Sequence, residues 1–240
     1  MRSSIRHYSI SLAAIFVFAV LLLNADLGSC GCLKRIFSFG DSIIDTGNFA
    51  YIVRNKPPGP PSVPPYGETY FHHPTGRASD GRLIIDFYAQ ALGLPLLPPS
   101  LPEEKTGQFP TGANFAVFGA VALNPDYFKS RHNQLLKQEV GRLKSRNPSV
   151  KIMYADYYGA FMEFVRNPRR NGIDSPLVAC CGGQGTYGTG HRCDMNAKVC
   201  RDPSRFANWD QVHMTEKAYR IIANGVLNGP YAEIPLLHAF

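Results

Sequence analysis

Residues 35–42 read RIFSFGDS, and this stretch decides the fold. Ile and Phe side chains are interspersed with Arg35 and Ser38, a pattern typical of a short β-strand. The strand runs directly into Gly40-Asp41-Ser42, where the glycine allows a tight turn. Ligand sites of open α/β sheets lie beyond the carboxyl ends of strands, so Ser42 is well placed to present its hydroxyl there. Taken alone, a Gly-Asp-Ser tripeptide is equally typical of an ordinary turn or helix cap.

The rest of the chain alternates between strand and helix patterns. Two further apolar segments predict strands, at residues 114–120 and 150–154. Helices are predicted at residues 79–92, 132–145 and 156–166, with a last helix that begins near Thr215. This alternation predicts an α/β domain with a parallel sheet.

The amino terminus has the layout of a secretory signal peptide. Arg2 and Arg6 precede an unbroken apolar run of twelve residues, 12–23, and small residues follow it. A bilayer span needs about 20 residues, which argues against the alternative of an uncleaved anchor. We therefore expect a signal peptide at 1–28, a single secreted, extracellular domain at 29–240, and no stable insertion in a membrane.

The formal net charge is +7, and much of the excess lies in one basic segment, residues 129–151. Its charged residues are Lys129, Arg131, Lys137, Arg142, Lys144, Arg146 and Lys151, with Glu139 as the acidic exception. A nucleic-acid surface is one interpretation of such a run. A solvated helix face is the better one, because Leu136, Val140 and Leu143 recur at helical spacing as an apolar stripe. We expect no nucleic-acid partner, and attraction to an anionic wall or membrane surface stays open.

Six cysteines are present, at positions 30, 32, 180, 181, 193 and 200. An even number in an exported chain favours disulfides, whose pairing the sequence leaves open. Zinc is a distant alternative, because no C-x-x-C pair occurs and the adjacent Cys180 and Cys181 make a poor chelating unit. The sequence therefore predicts disulfides, and neither a metal nor an organic cofactor.

Asp210 and His213 stand just before the last predicted helix. A serine nucleophile needs a base, and a histidine base needs a partner that fixes its tautomer. Three-residue spacing in a turn lets the carboxylate reach the ring, although a surface Asp–His pair near a helix start is the plainer alternative. Gly119 is a candidate oxyanion donor, since glycine lets a backbone N–H approach a ligand closely. Its alternative role is to leave packing room beside a strand.

As a set, these motifs closely resemble the plant GDSL esterase/lipase family of the SGNH hydrolase superfamily. The matching blocks cover nearly all of the mature chain and include residues 37–48, 76–87, 114–116, 154–158, 179–183 and 208–216. The resemblance implies a flavodoxin-like, three-layer sandwich with a parallel sheet, and hydrolysis of carboxylic esters, of lipids or acetylated glycans among others, through an acyl-enzyme. It implies Ser42 as nucleophile and oxyanion donor, His213 as base, Asp210 as its orienting acid, and Gly119 as second oxyanion donor. The loops 57–65 and 94–112 are expected to border the acyl site.

One block of the family pattern is absent. The family has a Gly-x-Asn-Asp segment, whose asparagine is a third oxyanion donor, and two strands between those of Ser42 and Val150. Neither Asn124 nor Asn133 has the required flanking glycine. The sequence therefore predicts an internal deletion near residues 123–131 and an incomplete fold. Two readings follow: an active ester hydrolase, or an impaired or inactive family member that binds without turnover or is a non-functional isoform.

Overall fold

The structure is a computed structural model that describes residues 33–103, 108–120, 132–183 and 185–239. The predicted signal peptide, Cys30, Cys32 and the predicted deletion near 123–131 lie outside these residues. The strands are β1 (Ile36–Ser38), β2 (Gly112–Asn114), β3 (Ser175–Ala179) and β4 (Phe206–Asn208). The α-helices are α1 (Asn48–Ile52), α2 (Ile84–Ala91), α3 (Ser100–Glu103), α4 (His132–Arg146), α5 (Tyr157–Arg166) and α6 (Glu216–Leu227). Short 3₁₀ helices span Pro168–Asn171, Pro203–Arg205 and Leu236–His238.

The described strands form two parallel pairs. Strand β1 pairs with β2, with Ile36 opposite Gly112 and Ser38 opposite Asn114. Strand β3 pairs with β4 as a separate two-stranded sheet. The α/β fold class with parallel strands is thus confirmed. The small, separate sheets are consistent with a flavodoxin-like fold that is partly incomplete.

The predicted strand at 114–120 is wrong except at its first residue. Strand β2 covers Gly112–Asn114 and then ends. Beyond it, the N–H of Ala116 donates to the Asn114 side chain at 2.8 Å, and that of Phe118 donates to Asp45 at 2.8 Å. The N–H groups of Phe115 and Val117 still donate to the carbonyls of Ser38 and Gly40, at 2.7 and 3.2 Å. Because the alternate N–H groups bind side chains, the segment leaves regular strand geometry and becomes a loop.

The predicted strand at 150–154 is also wrong. Its residues are irregular, and Ala155 makes an isolated antiparallel bridge with Ala232. The N–H of Asp156 donates to Tyr231 at 2.8 Å. The segment therefore pairs with the C-terminal chain, and no β-pairing joins it to a described parallel strand. Strands β3 and β4 were not predicted.

The predicted helices form, with one shift at a start. Helices α4, α5 and α6 begin within one residue of the prediction, and Asp156 and Thr215 cap the last two. Helix α2 begins at Ile84, not at Ser79-Asp80. Its N-cap residue is Leu83, and the carboxylate of Asp86, the third residue of the helix, accepts the N–H of Leu83 at 2.9 Å. Asp80 instead accepts the N–H of Glu216 at 2.7 Å and so caps α6, a long-range contact that a local pattern does not reveal.

Helices α2 and α6 enclose the main core. Its buried members include Leu83, Phe87, Phe164, Tyr219 and Ile222. Beside this apolar core, the side chain of Arg77 makes two hydrogen bonds to Asp86, at 2.8 and 2.9 Å. Asp86 is fully buried. The bidentate ion pair satisfies both charges where leaving either one alone would be costly.

Helix α4 is solvated, as its charges predict, but its predicted apolar stripe is not buried. Leu136 is 41% exposed and Leu143 is 47% exposed. Neither side chain belongs to a described core cluster, so the stripe adds little to the core. The helix is tethered through its cations: Lys144 pairs with Glu233, and Lys137 lies over the Tyr154 ring. In the part of the chain that the structure describes, none of the helices is both long and apolar enough to cross a bilayer.

The disulfide prediction is confirmed for the four described cysteines. Cys180 bonds to Cys200, and Cys181 bonds to Cys193. The two bridges fasten the Gly-rich loop to the end of β3. All four sulfurs are thereby used, which removes the thiolates that the zinc alternative required.

The buried carboxyl of Asp80 predicts a pH-dependent stability. Burial raises the pKa of Asp80 to about 6, whereas an unfolded Asp titrates near about 4. The protonated Asp80 carboxyl therefore makes its full contribution to the stability of the folded protein below about pH 4. This contribution is lost as the pH rises towards 6. Asp80→Asn keeps the acceptor for Glu216 and removes the charge. We expect it to add about 1–3 kcal/mol of stability at pH 7.5 and little at pH 4, measured by urea unfolding.

The matched control is Asp86→Asn, which disrupts the Arg77 ion pair and should destabilise the protein at pH 7.5. If Asp80→Asn destabilises equally at both pH values, burial of the charge is not the dominant effect at Asp80.

Candidate active site

A buried polar cluster holds the Ser42 turn against the loop that follows β2. The Asp45 carboxylate accepts N–H groups from Gly47, Asn48 and Phe49, and also that of Phe118 across the gap. The Asn48 side chain donates to the carbonyl oxygens of Asn114 and Ala116, at 2.7 and 2.9 Å. The two loops are therefore fastened to each other by side chains from both sides.

The Asn114 amide completes this cluster by donating to the carbonyl of Ile44. The backbone adds a direct link, because the N–H of Val117 donates to the carbonyl of Gly40 at 3.2 Å. Asp45, Asn48 and Asn114 are buried, so their hydrogen bonds are shielded from competing water. We call Asp45, Asn48 and Asn114 the loop-bridging triad.

Ser42 lies in a turn of residues 41–44, directly after β1. The Asp41 side chain accepts the N–H of Ile43 at 3.0 Å, and its carbonyl accepts the N–H of Asp45 at 3.0 Å. Asp41 thus shapes the turn, while Ser42 is half-buried. Among the described residues, the Ser42 hydroxyl has no hydrogen-bond partner.

Gly119 adopts a left-handed backbone with φ 81°. Among the described residues, an added Cβ there would meet no atom within 4 Å. The glycine is thus required by the backbone conformation, and the alternative of packing room is wrong. The ring centroid of the preceding residue, Phe118, lies 5.1 Å from that of His213 and 5.2 Å from that of Phe49.

Asp210 and His213 form a buried, closely bonded pair at the start of α6. The Nδ1 atom of His213 lies 2.8 Å from Oδ2 of Asp210 and 3.0 Å from Oδ1. Oδ1 also accepts the N–H groups of Val212 and His213, both at 2.7 Å. His213 is only 4% exposed, so the surface-pair alternative is wrong.

Several donors act on the Asp210 carboxylate. Burial opposes its ionisation, but the hydrogen bonds from His213 and from the N–H of Val212 outweigh this and hold the pKa of Asp210 below its ordinary value. An ionised Asp210 accepts the Nδ1 proton, which leaves the lone pair on Nε2 free to accept another. Nε2 is buried and has no hydrogen-bond partner among the described residues.

A cavity of about 210 Å³ opens beside this pair. Its described lining is mainly apolar and comprises Phe49, Pro60, Tyr66, Phe118, Arg192, Cys193, Asp210, Gln211, Val212 and His213. Gln211 donates to Thr189 at 3.0 Å, and Cys193 is in a disulfide, so the Gly-rich loop forms one wall. The cavity can therefore receive a small apolar group next to the imidazole.

The structure brings some of the predicted residues together and leaves one apart. Asp210 and His213 are in direct contact, and Gly119 follows the phenylalanine that packs on His213. Ser42 is not among the described residues that line the cavity, and no hydrogen bond joins it to His213. The described residues contain no group of three His, Cys, Asp or Glu side chains suited to a metal ion.

Sequence reasoning missed the loop-bridging triad and the lining residues Tyr66 and Phe118. The triad carried a signal, because Asp45 and Asn48 follow Ser42 in the same block and Asn114 opens the next one. The sequence around Tyr66 gave no signal of its role, apart from its place after the proline-rich loop, because its partner Asp210 is 144 residues away.

Comparisons with known proteins identify the class. Residues 36–163, more than half of the 240-residue chain, match the family described as GDSL-like lipase/acylhydrolase. The chain belongs to this family, and by that homology it is a hydrolase acting on esters.

Curated plant relatives align along most of the chain. A GDSL esterase/lipase of Arabidopsis thaliana is 29% identical over 365 residues, covering 95% of this chain and 92% of its own. Another from the same plant is 30% identical over 343 residues, covering 86% and 87%. The sinapine esterase of Brassica napus is 28% identical over 355 residues, covering 91% of each.

The alignment with the 29% identical Arabidopsis thaliana relative also shows that the two chains differ in length. It spans 365 residues, whereas this chain has only 240, so at least 125 positions of the relative (365 minus 240) have no counterpart here. The alignment covers over nine-tenths of both chains, so these positions lie inside the aligned region.

The ring of Phe118 predicts how accessible His213 is. Phe118→Ala should uncover the imidazole, whose Nε2 has no hydrogen-bond partner in the described part of the chain, and raise its rate of carbethoxylation by diethyl pyrocarbonate several-fold. The reaction is followed by peptide mass analysis, with His213→Gln as background. Phe115→Ala is the control, because Phe115 stacks on Phe39 and not on His213. Equal rates in the two alanine variants would mean that Phe118 does not cover the imidazole.

Proposed function

We propose that this chain is a secreted serine hydrolase of carboxylic esters in which Ser42, His213 and Asp210 carry the reaction. The proposal is carried by the buried Asp210–His213 pair at the wall of a mainly apolar cavity, where Nε2 has no hydrogen-bond partner among the described residues. Family membership supplies the reaction class, and the position of Ser42 after β1 supplies the nucleophile.

In the proposed reaction, Nε2 of His213 takes the Ser42 proton as Oγ bonds to the ester carbonyl carbon. The tetrahedral intermediate collapses when the C–O bond to the alcohol breaks, and His213 returns the proton to the leaving oxygen. Water then attacks the acyl-enzyme by the same route and releases the acid. Asp210 stabilises the imidazolium throughout. Backbone N–H groups of Ser42 and Gly119 would hold the oxyanion.

We propose further that the positions absent from this chain fall at residues 123–131 and include the third oxyanion donor. The lengths of the alignments support this, as does the absence of a Gly-x-Asn-Asp segment. Loss of one oxyanion donor typically lowers kcat by about a hundred- to a thousandfold. We therefore expect slow turnover, with the acyl-enzyme chemistry retained.

One observation favours a second candidate, a family member that binds esters without turnover. No hydrogen bond joins Ser42 to His213, and a misplacement of about 1 Å can cost about a hundredfold in rate. Substrate binding would have to bring the Ser42 turn towards the imidazole for the first candidate to hold.

Export from the cell is supported by the apolar run at 12–23 and by the two disulfides, which persist in oxidising compartments. We propose an extracellular location on these grounds.

The test of the proposed function is hydrolysis of p-nitrophenyl butyrate by the exported, oxidised protein beside Ser42→Ala. We expect slow turnover that the alanine variant abolishes, and labelling of Ser42 by a fluorophosphonate. Folded protein that neither turns over nor takes the label at Ser42 would overturn the catalytic candidate and leave the binding candidate.

The cavity also predicts the size of the acyl group. A dry cavity of about 150 Å³ accommodates a benzene ring, so about 210 Å³ suits a short acyl chain better than a long one. We expect kcat/KM to be highest for acetate to hexanoate esters in a p-nitrophenyl series. Phe49→Ala removes part of the wall and should move the optimum to longer chains. A dodecanoate optimum in the unaltered protein would contradict this assignment of the acyl site.

A further inference from the structure

Asp210 has a donor that the catalytic scheme does not use. The hydroxyl of Tyr66 donates to Oδ2 of Asp210 at 2.8 Å. Oδ2 is the same oxygen that faces Nδ1 of His213, also at 2.8 Å. Tyr66, Asp210 and His213 therefore form one continuous chain of hydrogen bonds that ends at the imidazole of His213.

Tyr66 is held rigidly in this position. It is only 3% exposed, and its ring meets that of Trp209 edge to face, with centroids 6.1 Å apart. Its own N–H donates to Val63 at 3.2 Å, and the N–H of Gly67 donates to Ser79 at 3.0 Å. A side chain fixed in this way loses little conformational freedom when it makes its hydrogen bond.

The phenol acts as a donor and not as a base. Burial, with the neighbouring Asp210 carboxylate, raises the pKa of Tyr66 above its ordinary value. The charges of Arg192 and Asp194 also act on the phenol, in opposite directions. Tyr66 therefore keeps its proton throughout the pH range of an ester hydrolase.

We propose that Tyr66 is a positioning residue that fixes Asp210 and sets how strongly its carboxylate accepts the Nδ1 proton of His213. A hydrogen bond withdraws electron density from the acceptor, so the phenol moderates the attraction of Asp210 for the imidazolium. The proposal rests on the proposed function, because a positioning role exists only where Asp210 and His213 act on a substrate.

The experiment compares Tyr66→Phe with Tyr88→Phe. The control variant also loses a buried hydroxyl bond, since the Tyr88 and Tyr157 oxygens lie 2.9 Å apart in a different part of the core. Without the phenol, Asp210 becomes a stronger acceptor. We expect the acidic limb of the kcat/KM–pH profile to move to higher pH, with kcat lowered about tenfold and KM unchanged. Tyr88→Phe should leave the acidic limb of the kcat/KM–pH profile at its original pH.

A second measurement needs no turnover and so separates this proposal from the proposed function. The Nδ1 proton of His213, identified by its loss in His213→Gln, should move downfield in the NMR spectrum of Tyr66→Phe. Replacing Tyr66 by 3-fluorotyrosine, a more acidic donor, should move the resonance upfield and also covers the case in which Tyr66→Phe does not fold. The proposal would be overturned if Tyr66→Phe lowered the stability but moved neither the Nδ1 proton resonance of His213 nor the acidic limb of the kcat/KM–pH profile. Tyr66 would then be a structural residue.

Discussion

The site depends on the hydrogen bonds of the loop-bridging triad, Asp45, Asn48 and Asn114. These side chains satisfy backbone groups in the turn after β1 and in the loop after β2, where the strands themselves have ended. A pair of three-residue strands supplies too few ladder bonds to fix two loops. Buried side-chain acceptors and donors supply the remainder, because unsatisfied backbone groups at this depth would cost about 1–3 kcal/mol each.

This constraint explains how the two loops of the proposed site are held together although β1 and β2 form only a two-stranded sheet. The turn that carries Ser42 needs β1, the loop that carries Gly119 needs β2, and the triad joins the two directly. The Asp210–His213 pair belongs to a different unit, because it is fixed by its own turn and by the cap of α6. Phe118 is the physical link between the units: its N–H binds Asp45, and its ring packs on His213.

Local patterns predicted the local features of this chain. The β1–Ser42 junction, three of the helix starts and the Asp–His spacing all follow from a few neighbouring residues, and the structure forms each of them. The predictions failed where a partner distant in the sequence competed with the local pattern. The signal at Ser79-Asp80 caps α6 instead of α2, the 150–154 segment pairs with the C-terminal chain, and the 114–120 segment bends towards Asp45. Tyr66 could not be found, because its contact with Asp210 joins residues 144 positions apart.

Both polar clusters use the same physical device, a carboxylate surrounded by fixed donors. Asp45 receives four backbone N–H groups, and Asp210 receives two together with the imidazole and a phenol. Such preorganisation does not require a large sheet, since the donors come from turns and from single side chains. An oxyanion site is more demanding, because its donors must converge on a point in empty space from several strands at once. A small sheet therefore keeps a carboxylate–imidazole pair more readily than it keeps the proposed nucleophile and oxyanion donors in line with that pair. In this structure Asp210 and His213 are in contact, and no hydrogen bond joins Ser42 to His213.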